Sequence, residues 1–386
     1  SSFIKQNSVL SRFSNISMEE QSRFVIWKMS WEGFKENPVL GWGPENYNLV
    51  FNKYYQPILY KQEPWFDRAH NVFFDKLVTT GILGLLSYLG LFIFSIFYLF
   101  KRKYRENFSV TESALIFSLF AAYFFHNIFV FDNLISFIMF LIFLAYIHFH
   151  YISSEPIKIE NKKIDYNKSV DSKLAITSPI VITVFVFLFY FINIPGYLAN
   201  LNLLDALQAA ANGKIQDASV KFNKALSHDS FGNSEIREQL ASFSKKVIDA
   251  PEDVAANNLK LEIFEKALSE MKKQIESSPN DIRYMLFLGS LYNEGKRYGD
   301  AIDILEKTID ISPNKQQIYF ELGSSYLNKK EYSKAMEILK KSFDLEPSYD
   351  EARKIYAMAA IYNRQTDLGE KILIDRYNTH KIPDSR

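Results

Sequence analysis

Three short segments near the start of the chain decide how the rest is interpreted: RFVIWKMSWEGF (residues 23–34), NPVLGWGPENYN (37–48) and FDRAHNVFFD (66–75). In the first segment, large aromatic residues recur at helical spacing with charged residues between them. This pattern predicts an amphipathic helix whose aromatic side suits a membrane interface. The Asn37-Pro38 pair ends this predicted helix, because the residue before a proline is pushed out of the α region.

The other two segments contain the candidates for chemistry. Gly41, Gly43 and Pro44 predict a tight turn whose backbone amides are candidates for binding an anion. His70 and Asn71 stand where the chain enters its first long apolar run. A helix N-terminus carries partial positive charge, which disfavours an imidazolium and favours a neutral histidine that can act as a base.

The composition outside these segments is divided between apolar and charged parts. Hydrophobic residues make up 48% of the chain and Phe alone numbers 34, yet the mean hydropathy is only -0.11, so the apolar residues are concentrated. A bilayer requires about 20 apolar residues in a helix. We predict a transmembrane helix in each of four runs: 77–100, 113–131, 134–151 and 174–194.

The charged residues between these runs predict their orientation. Basic residues cluster at 101–105 and at 158–173, whereas the turn between the second and third runs has only Asp132 and Asn133. The positive-inside rule makes the two basic segments cytoplasmic. The loop before the first run and everything after Ile194 are then expected to share the outer side.

An internal repeat begins after the fourth run, which we expect Pro195-Gly196 to break. Pro279, Pro313 and Pro347 are spaced by the 34 residues of a tetratricopeptide repeat. The positions Leu288, Gly289, Tyr292, Ala301 and Leu305 recur in register as Leu322, Gly323, Tyr326, Ala335 and Leu339. The pattern predicts an α-solenoid, a fold whose concave face binds a partner or a neighbouring subunit.

Weaker copies flank the two clear repeats. One spans about 199–232, another ends near Pro279, and a further helix pair is predicted at 349–362 and 368–377. The expected organisation is an extracytoplasmic loop at 1–76, a membrane domain at 77–196 and a tetratricopeptide domain at 197–386.

The loop segments resemble a known family. The arrangement R-x3-W, NPVLGWGPENY and D-x-AHN, followed by a helix beginning LVTTGILGLLSYLG, is similar to the large extracytoplasmic loop of the O-antigen ligase/polymerase family. The resemblance covers roughly residues 23–151. It implies a multi-spanning membrane glycosyltransferase that moves a glycan from a polyprenyl diphosphate carrier to an acceptor. Members have more helices before this loop, so we expect the C-terminal part of a GT-C-like all-α fold.

The resemblance also implies roles for individual residues. His70 matches the family's loop histidine, implicated in activating the acceptor hydroxyl, and Arg23 matches the loop arginine near the diphosphate. Arg68 is a second candidate for binding the diphosphate, or else a residue that snorkels to the membrane interface. Asp67 and Asn71 either orient His70 or cap the following helix.

The polar residues at the end of the second run have both a structural and a functional interpretation. For His126 we favour a hydrogen bond with an asparagine between packed helices, over a role in function. Asn127 stands next to it in the same run. Asp132 has three interpretations of equal weight, namely orienting His70, binding the acceptor, or ending a helix in water.

Composition excludes several classes of function. A net charge of +1 gives no case for nucleic acid, and the absence of cysteine removes disulfides, zinc-thiolate sites and cysteine nucleophiles. With no acidic cluster of metal-site type, we expect a reaction without a metal or other cofactor. The expected partners are the lipid-linked glycan, a glycan, lipid or protein acceptor, the membrane, and a protein on the repeats.

Two other functions remain open. The chain is expected in the cytoplasmic (inner) membrane as a multi-pass protein, and there it could also serve as a membrane-anchored scaffold without catalysis. It could alternatively transport a small anion. Ligase and polymerase share these motifs, so the sequence does not separate them.

Overall fold

The chain is all-helical in the residues that the structure describes. The computed structural model describes residues 18–62, 64–100, 108–153, 172–252 and 254–377. Within these ranges there are α-helices and one 3₁₀ turn and no strand, which confirms the predicted fold class. Contacts divide the chain into two compact units, residues 1–158 with 312–315, and residues 159–311 with 316–386.

The first unit joins a loop region (residues 18–71) to three apolar helices. Its elements are α1 (Met18–Glu36), α2 (Tyr47–Lys53), a 3₁₀ turn (Pro57–Lys61), α3 (Val72–Phe100), α4 (Val110–His126) and α5 (Leu134–Ser153).

Helix α1 buries a different side from its aromatic one. Ile26 and Met29 are each 1% exposed and pack on Tyr47 and its neighbours in α2. Phe24 and Trp31, in contrast, are 64% and 47% exposed. Phe24 and Trp31 thus lie at the surface, where an interfacial role would put them, whereas Trp27 packs on Phe74.

Helix α3 is interrupted at Gly81, whose φ of 66° and ψ of -167° are not helical. In a regular helix, the backbone groups on the two sides of Gly81 would form hydrogen bonds with each other. Here they form hydrogen bonds with the loop region instead. On the N-terminal side, the carbonyls of Val78 and Thr79 accept hydrogen bonds from the amides of Trp42 and Gly43, at 2.8 and 2.9 Å. On the C-terminal side, the amides of Ile82 and Leu83 donate to the carbonyls of Pro38 and Val39, at 2.9 and 3.5 Å.

Only glycine fits where the two segments cross. Gly41 and Gly81 have φ values of 72° and 66°, in the region that side chains rarely adopt. A Cβ atom on Gly81 would lie 2.3 Å from the Val39 carbonyl oxygen, and one on Gly41 would lie 2.5 Å from that of Val78. Neither backbone could move away without breaking the hydrogen bonds described above.

This crossing corrects one prediction. The glycine spacing predicts that the amides of the Gly41–Gly43 turn face an anion, but those of Trp42 and Gly43 donate to α3, and that of Gly41 donates to the carbonyl of Asn37 at 3.1 Å. The turn therefore attaches the loop to the helix, and these amides are not available to an anion.

Aromatic side chains hold the three apolar helices of the first unit together. Tyr88 and Phe92 of α3, Phe120 of α4 and Phe140 of α5 are all buried. The rings of Phe92 and Phe140 stack with centroids 4.8 Å apart. Many of the remaining large apolar side chains of these helices are exposed, as expected of helices that face lipid.

Three helices of the described chain are long and apolar enough to cross a membrane: Val72–Phe100, Leu134–Tyr151 and Thr177–Ala211. The second predicted span corresponds to a shorter apolar helix that ends at His126, so residues 127–131 lie beyond the helix and not within the span. The number of spans stays a prediction. So does their orientation, because the basic residues at 101–105 and 158–168 lie outside the described residues, as does the segment before Met18.

The second unit begins with one long helix. Helix α6 (Ser172–Ala211) contains Pro195, so the predicted break at Pro195-Gly196 is wrong. Its apolar part from residue 177 is exposed, whereas Ala199 and Ala206 are buried, and the helix packs on α7 (Ile215–Leu226). The fourth apolar run and the first helix of the first repeat are thus one continuous helix.

Four helix pairs follow and continue the solenoid. They are α8 (Asn233–Ile248) with α9 (Asn257–Ser277), α10 (Ile282–Glu294) with α11 (Tyr298–Ile311), α12 (Gln316–Asn328) with α13 (Tyr332–Leu345), and α14 (Asp350–Tyr362) with α15 (Thr366–Tyr377).

The repeat packing is as the sequence predicts. A Cβ atom on Gly289 would lie 2.6 Å from Leu305, and one on Gly323 would lie 2.4 Å from Leu339, so the small residue lets the two helices of each repeat approach. Pro313 lies in the turn two residues beyond the end of α11. Its equivalents Pro279 and Pro347 lie at the same distance from the ends of α9 and α13.

A buried ion pair links two of these helices. Glu238 of α8 is 6% exposed, and its Oε2 lies 2.5 Å from Nη2 of Arg283 in α10. Burial raises the pKa of Glu238 to about 7, although the Arg283 guanidinium opposes this shift.

We expect Gly81→Ala to destabilise the loop region, because an L-residue at this φ costs roughly 1–3 kcal/mol and its Cβ would also strike the Val39 carbonyl. All four tryptophans lie between residues 27 and 65, so thermal unfolding followed by tryptophan fluorescence reports on this region.

Gly90→Ala on the same helix is the matched control, because its Cβ would only touch Phe94 at 3.8 Å. Equal melting temperatures for the two variants would contradict the conclusion that only glycine fits at position 81.

The Glu238 pair predicts a pH dependence. The folded chain holds this proton up to about pH 7, whereas the unfolded chain releases it near 4.5, so the free energy of unfolding of the repeats falls as the pH rises between these values. Glu238→Gln should remove the fall and stabilise the repeats at pH 8 by roughly 1–3 kcal/mol.

Hydrogen exchange of α8 peptides in the whole protein, corrected for the intrinsic pH effect, measures this stability. Glu235→Gln, at an exposed carboxylate of the same helix, is the control. A Glu238→Gln profile parallel to that of the unmodified protein would rule out the assignment.

Candidate functional site

His70 lies between two aromatic rings at the entrance to α3. The ring centroids of Phe66 and Phe131 lie 5.3 and 5.5 Å from that of His70, both edge to face. The backbone of His70 has a φ of 51°, which is uncommon for a residue with a side chain. The imidazole is half-buried and its orientation is set by packing and by backbone conformation together.

Asn71 anchors the helix that follows His70. Its Oδ1 accepts hydrogen bonds from the amides of Phe73 and Phe74 at 2.9 and 3.1 Å, which caps the helix start. Its Nδ2 donates to the carbonyl of Ile128 at 2.9 Å. The helix capped next to His70 is thereby also attached to the end of α4.

Arg23 lies on the first half of α1, which runs alongside the start of α3. Trp27, one turn after Arg23, stacks on Phe74 with ring centroids 5.6 Å apart. Phe74 is four residues after His70. Further along α3, at Gly81, the loop region contacts the same helix again. Arg23 is therefore one helical turn before a contact between α1 and α3, and His70 is two residues before α3 begins.

Arg68 is paired with two carboxylates. Its Nη2 lies 2.5 Å from Oε1 of Glu45, and its Nη1 lies 3.4 Å from Oδ2 of Asp75. Partial burial alone would lower the pKa of Arg68, but the charges of Asp75, Glu45 and Asp67 raise it above its usual value. The guanidinium is charged, and that charge is already balanced. Asp67 itself is exposed.

Asp132 belongs to a polar network among the apolar helices. The hydroxyl of Tyr88 donates to its Oδ2 at 3.2 Å, the hydroxyl of Tyr123 donates to its Oδ1, and Nδ2 of Asn127 lies 3.3 Å from the same Oδ1. Asn127 also donates to the Tyr88 hydroxyl at 2.9 Å. The network orients the carboxylate of Asp132 rigidly.

His126, the residue before Asn127, is not buried. Asn127 is 1% exposed and makes the hydrogen bonds that link α3 and α4, whereas His126 is exposed. The interpretation favoured from the sequence, a buried bond between His126 and an asparagine, is therefore replaced. The structure assigns that linking role to Asn127 and the two tyrosines instead.

A cavity of about 440 Å³ opens beside these residues. Arg68 and Asp132, two of the predicted site residues, line it together with Asp75 and Lys76 of α3. The ring of Phe131 also lines it, and the centroid of that ring lies 5.5 Å from that of His70. The cavity is therefore one aromatic ring away from the candidate base.

Sequence reasoning missed several residues of this site. Tyr88 and Tyr123 are inconspicuous in runs rich in aromatics, and Asp75 marks only the end of a motif. A tyrosine within a predicted span is a signal that could have identified Tyr88 and Tyr123, because polar groups there require partners. Asp75 lies just before the first predicted span, so this signal does not apply to it. Glu45 had no such signal, since its contact with Arg68 joins residues far apart in the sequence.

Family comparisons agree with the motifs. The family model described as O-antigen ligase matches residues 3–89, and a tetratricopeptide repeat model matches residues 292–359. A comparison with curated proteins gave no match.

Comparison with solved structures gives helical repeat proteins. MamA 41-end from Desulfovibrio magneticus RS-1 is 16% identical and has a TM-score of 0.37, and the match covers 48% of this chain and 97% of that one. A thermophilic TPR protein from Thermus thermophilus is 19% identical, with a TM-score of 0.33 and coverage of 47% and 91%. The family models confirm the resemblance found in the sequence, because the O-antigen ligase model matches residues 3–89 and the tetratricopeptide repeat model matches residues 292–359.

Proposed function

We propose that this protein transfers a glycan from a polyprenyl diphosphate carrier to an acceptor hydroxyl, as an O-antigen ligase or a polysaccharide polymerase does. The observation that carries the proposal is the position of His70. It lies two residues before a capped apolar helix, within a segment that matches the O-antigen ligase model, and Arg23 is on the helix that packs against that apolar helix.

The proposed chemistry is a displacement at the anomeric carbon of the donor sugar. The acceptor oxygen forms a bond to that carbon while the bond from the carbon to the diphosphate oxygen breaks. His70 takes the proton of the acceptor hydroxyl, and the diphosphate leaves with the bonding electrons on its lipid carrier. The leaving group is already good, so the protein has to supply a base and a means of holding the diphosphate.

Arg23 is the residue we assign to the diphosphate. A guanidinium donates two parallel hydrogen bonds to phosphate oxygens, which gives both charge and orientation. Arg68 is the second candidate from the sequence, but its pairs with Glu45 and Asp75 leave it less able to bind an anion. We assign Arg68 to positioning the loop against α3.

The repeats are proposed to bind a protein partner, as solenoids of this type do. The proposed location is the cytoplasmic membrane, with the loop and the repeats on the outer side. An anion transporter is less well supported, because Asn127 and Asp132 are engaged in a rigid network and His126 is exposed. A scaffold without catalysis is separated from the transferase by the first experiment below.

We expect His70→Asn to reduce glycan transfer by about 10²- to 10⁴-fold, because the general base is lost. Asparagine tolerates the positive φ of this position, so the variant should fold and insert normally. The assay uses the complete protein in membranes with a lipid-diphosphate glycan and measures glycosylated product.

His126→Ala, at an exposed histidine of the same unit, is the control and should retain activity. Full transfer by His70→Asn would disprove the catalytic assignment. If deletion of residues 198–386 alone abolished the phenotype, the scaffold function would be favoured.

A second prediction concerns the diphosphate. Arg23→Gln should raise the KM for the lipid-linked donor by about ten- to a hundredfold, the value of a lost charge-assisted pair of hydrogen bonds. The KM of Arg23→Lys should lie between those of the unmodified protein and Arg23→Gln, because lysine keeps the charge and loses the bidentate geometry.

Lys28→Gln is the matched control, because it removes an exposed positive charge from the same helix. If Arg23→Gln and Lys28→Gln changed the KM equally, Arg23 would contribute only general charge and the assignment would be withdrawn.

A further inference from the structure

The turn between α7 and α8 holds an aromatic ring beside the end of the apolar part of α6. Phe231, in this turn, is 78% exposed, more than any large apolar side chain at residues 180–192 of α6. Its ring nonetheless lies on the backbone of α6, because a Cβ atom on Gly196 would be 2.7 Å from Cε1 of Phe231. The missing side chain of Gly196 thus leaves the room that the ring occupies.

Polar contacts attach the same turn to α6 at a second place. Nδ2 of Asn202 lies 3.0 Å from Nε2 of His228, six residues further along α6 than the glycine. Within the turn, Nδ2 of Asn233 donates to Oδ1 of Asp229 at 3.2 Å. The turn is therefore held along α6, and the phenylalanine ring keeps its level on that helix.

The charges of α6 place this level at the edge of a bilayer. Residues 174–204 contain no charged side chain, and Lys173 and Asp205 stand at the two ends of this stretch. At a rise of 1.5 Å per residue the stretch is about 46 Å long, close to the roughly 40–45 Å of a bilayer with its headgroups. With the predicted span 174–194 in the hydrocarbon, Gly196 lies about 3 Å beyond it, among the headgroups.

A second aromatic side chain lies at the same level. Tyr197 follows Gly196 and is 61% exposed. Tyrosine is enriched at membrane–water interfaces, and phenylalanine is typical of the apolar side of segments that lie in the interface. Single exposed apolar residues are common on surfaces that face water, but these two rings continue the surface of an apolar helix.

The later turns that connect one repeat to the next differ from this one. They contain Ser-Pro-Asn at 278–280 and at 312–314, and Glu-Pro-Ser at 346–348. The structure describes all three turns, and none has an exposed large apolar side chain. The exposed phenylalanine therefore belongs to the turn beside the apolar helix, and the repeat packing does not account for it.

We propose that the turn between α7 and α8 docks on the lipid surface, with the rings of Phe231 and Tyr197 among the headgroups. The partner is lipid because both rings lie where the candidate span leaves the hydrocarbon, and the contacts with Gly196 and Asn202 fix the turn there. The first repeat is thereby held at the membrane in one orientation. The inference requires that α6 spans the membrane and does not depend on the proposed transferase chemistry.

Spin labels on single cysteines test the docking in the whole protein reconstituted in lipid vesicles. The 386 residues contain no cysteine, so Phe231→Cys provides one labelling site, and the unmodified protein gives the background. The label at 231 should be relaxed more by oxygen, which concentrates in lipid, than by a water-soluble nickel chelate.

Val254→Cys is the matched control, because Val254 is 52% exposed in the turn at the other end of α8. The 16 residues of α8 separate the two turns by about 24 Å. The label at 254 should respond more to nickel than to oxygen. Equal oxygen-to-nickel ratios at the two positions would overturn the proposal, and so would low access of both reagents to 231, which would show that protein covers the ring.

A label at Ser227, which is exposed in the same turn, tests the ring without replacing it. Adding Phe231→Ser to Ser227→Cys should lower the ratio of docked to undocked turn by about tenfold, because the apolar contribution of the ring is lost. Nickel access to the label at 227 should then rise, whereas adding Val254→Ser should leave it unchanged.

Thermal melting followed by circular dichroism checks that each variant is folded. Unchanged nickel access at 227 in folded Phe231→Ser would show that the ring does not dock the turn, and the proposal would be withdrawn.

Discussion

The first unit depends on an exchange of backbone hydrogen bonds at Gly81. An unpaired amide or carbonyl within an apolar helix costs several kcal/mol, so a break in such a helix is stable only where another part of the protein pairs the freed groups. Residues 38–43 do this for α3. The exchange attaches a polar loop to an apolar helix by backbone contacts that no side chain could replace, because Gly41 and Gly81 leave no room for one.

The candidate site is a consequence of this attachment. With the loop held at Gly81, α1 lies along the first two turns of α3, and Trp27 stacks on Phe74. His70 stands two residues before α3 begins. The Asn71 cap and the network of Tyr88, Asn127 and Asp132 join the same end to α4, so elements distant in sequence meet around one histidine.

Charge divides this region into two chemically different parts. Arg68 is neutralised by Glu45 and Asp75, and the cavity it lines is acidic overall, whereas Arg23 stands on a separate helix. In the second unit, the single helix α6 contains both a candidate membrane span and the first helix of the repeats.

The sequence alone determined the all-helical class, the apolar runs, the repeat register and the family segment, because each is written in local periodicity or in a contiguous motif. His70 and Arg23 were proposed as site residues in the same way, through motifs. Local patterns failed where a distant segment decided the outcome. Pro195 does not end α6, the amides of Trp42 and Gly43 donate to carbonyls of α3, and Arg68 is neutralised by residues 23 positions before it and 7 after it. The cavity, the Asp132 network and the exchange at Gly81 exist only in the tertiary structure, because their hydrogen bonds and ion pairs join groups whose spacing in the sequence has no period.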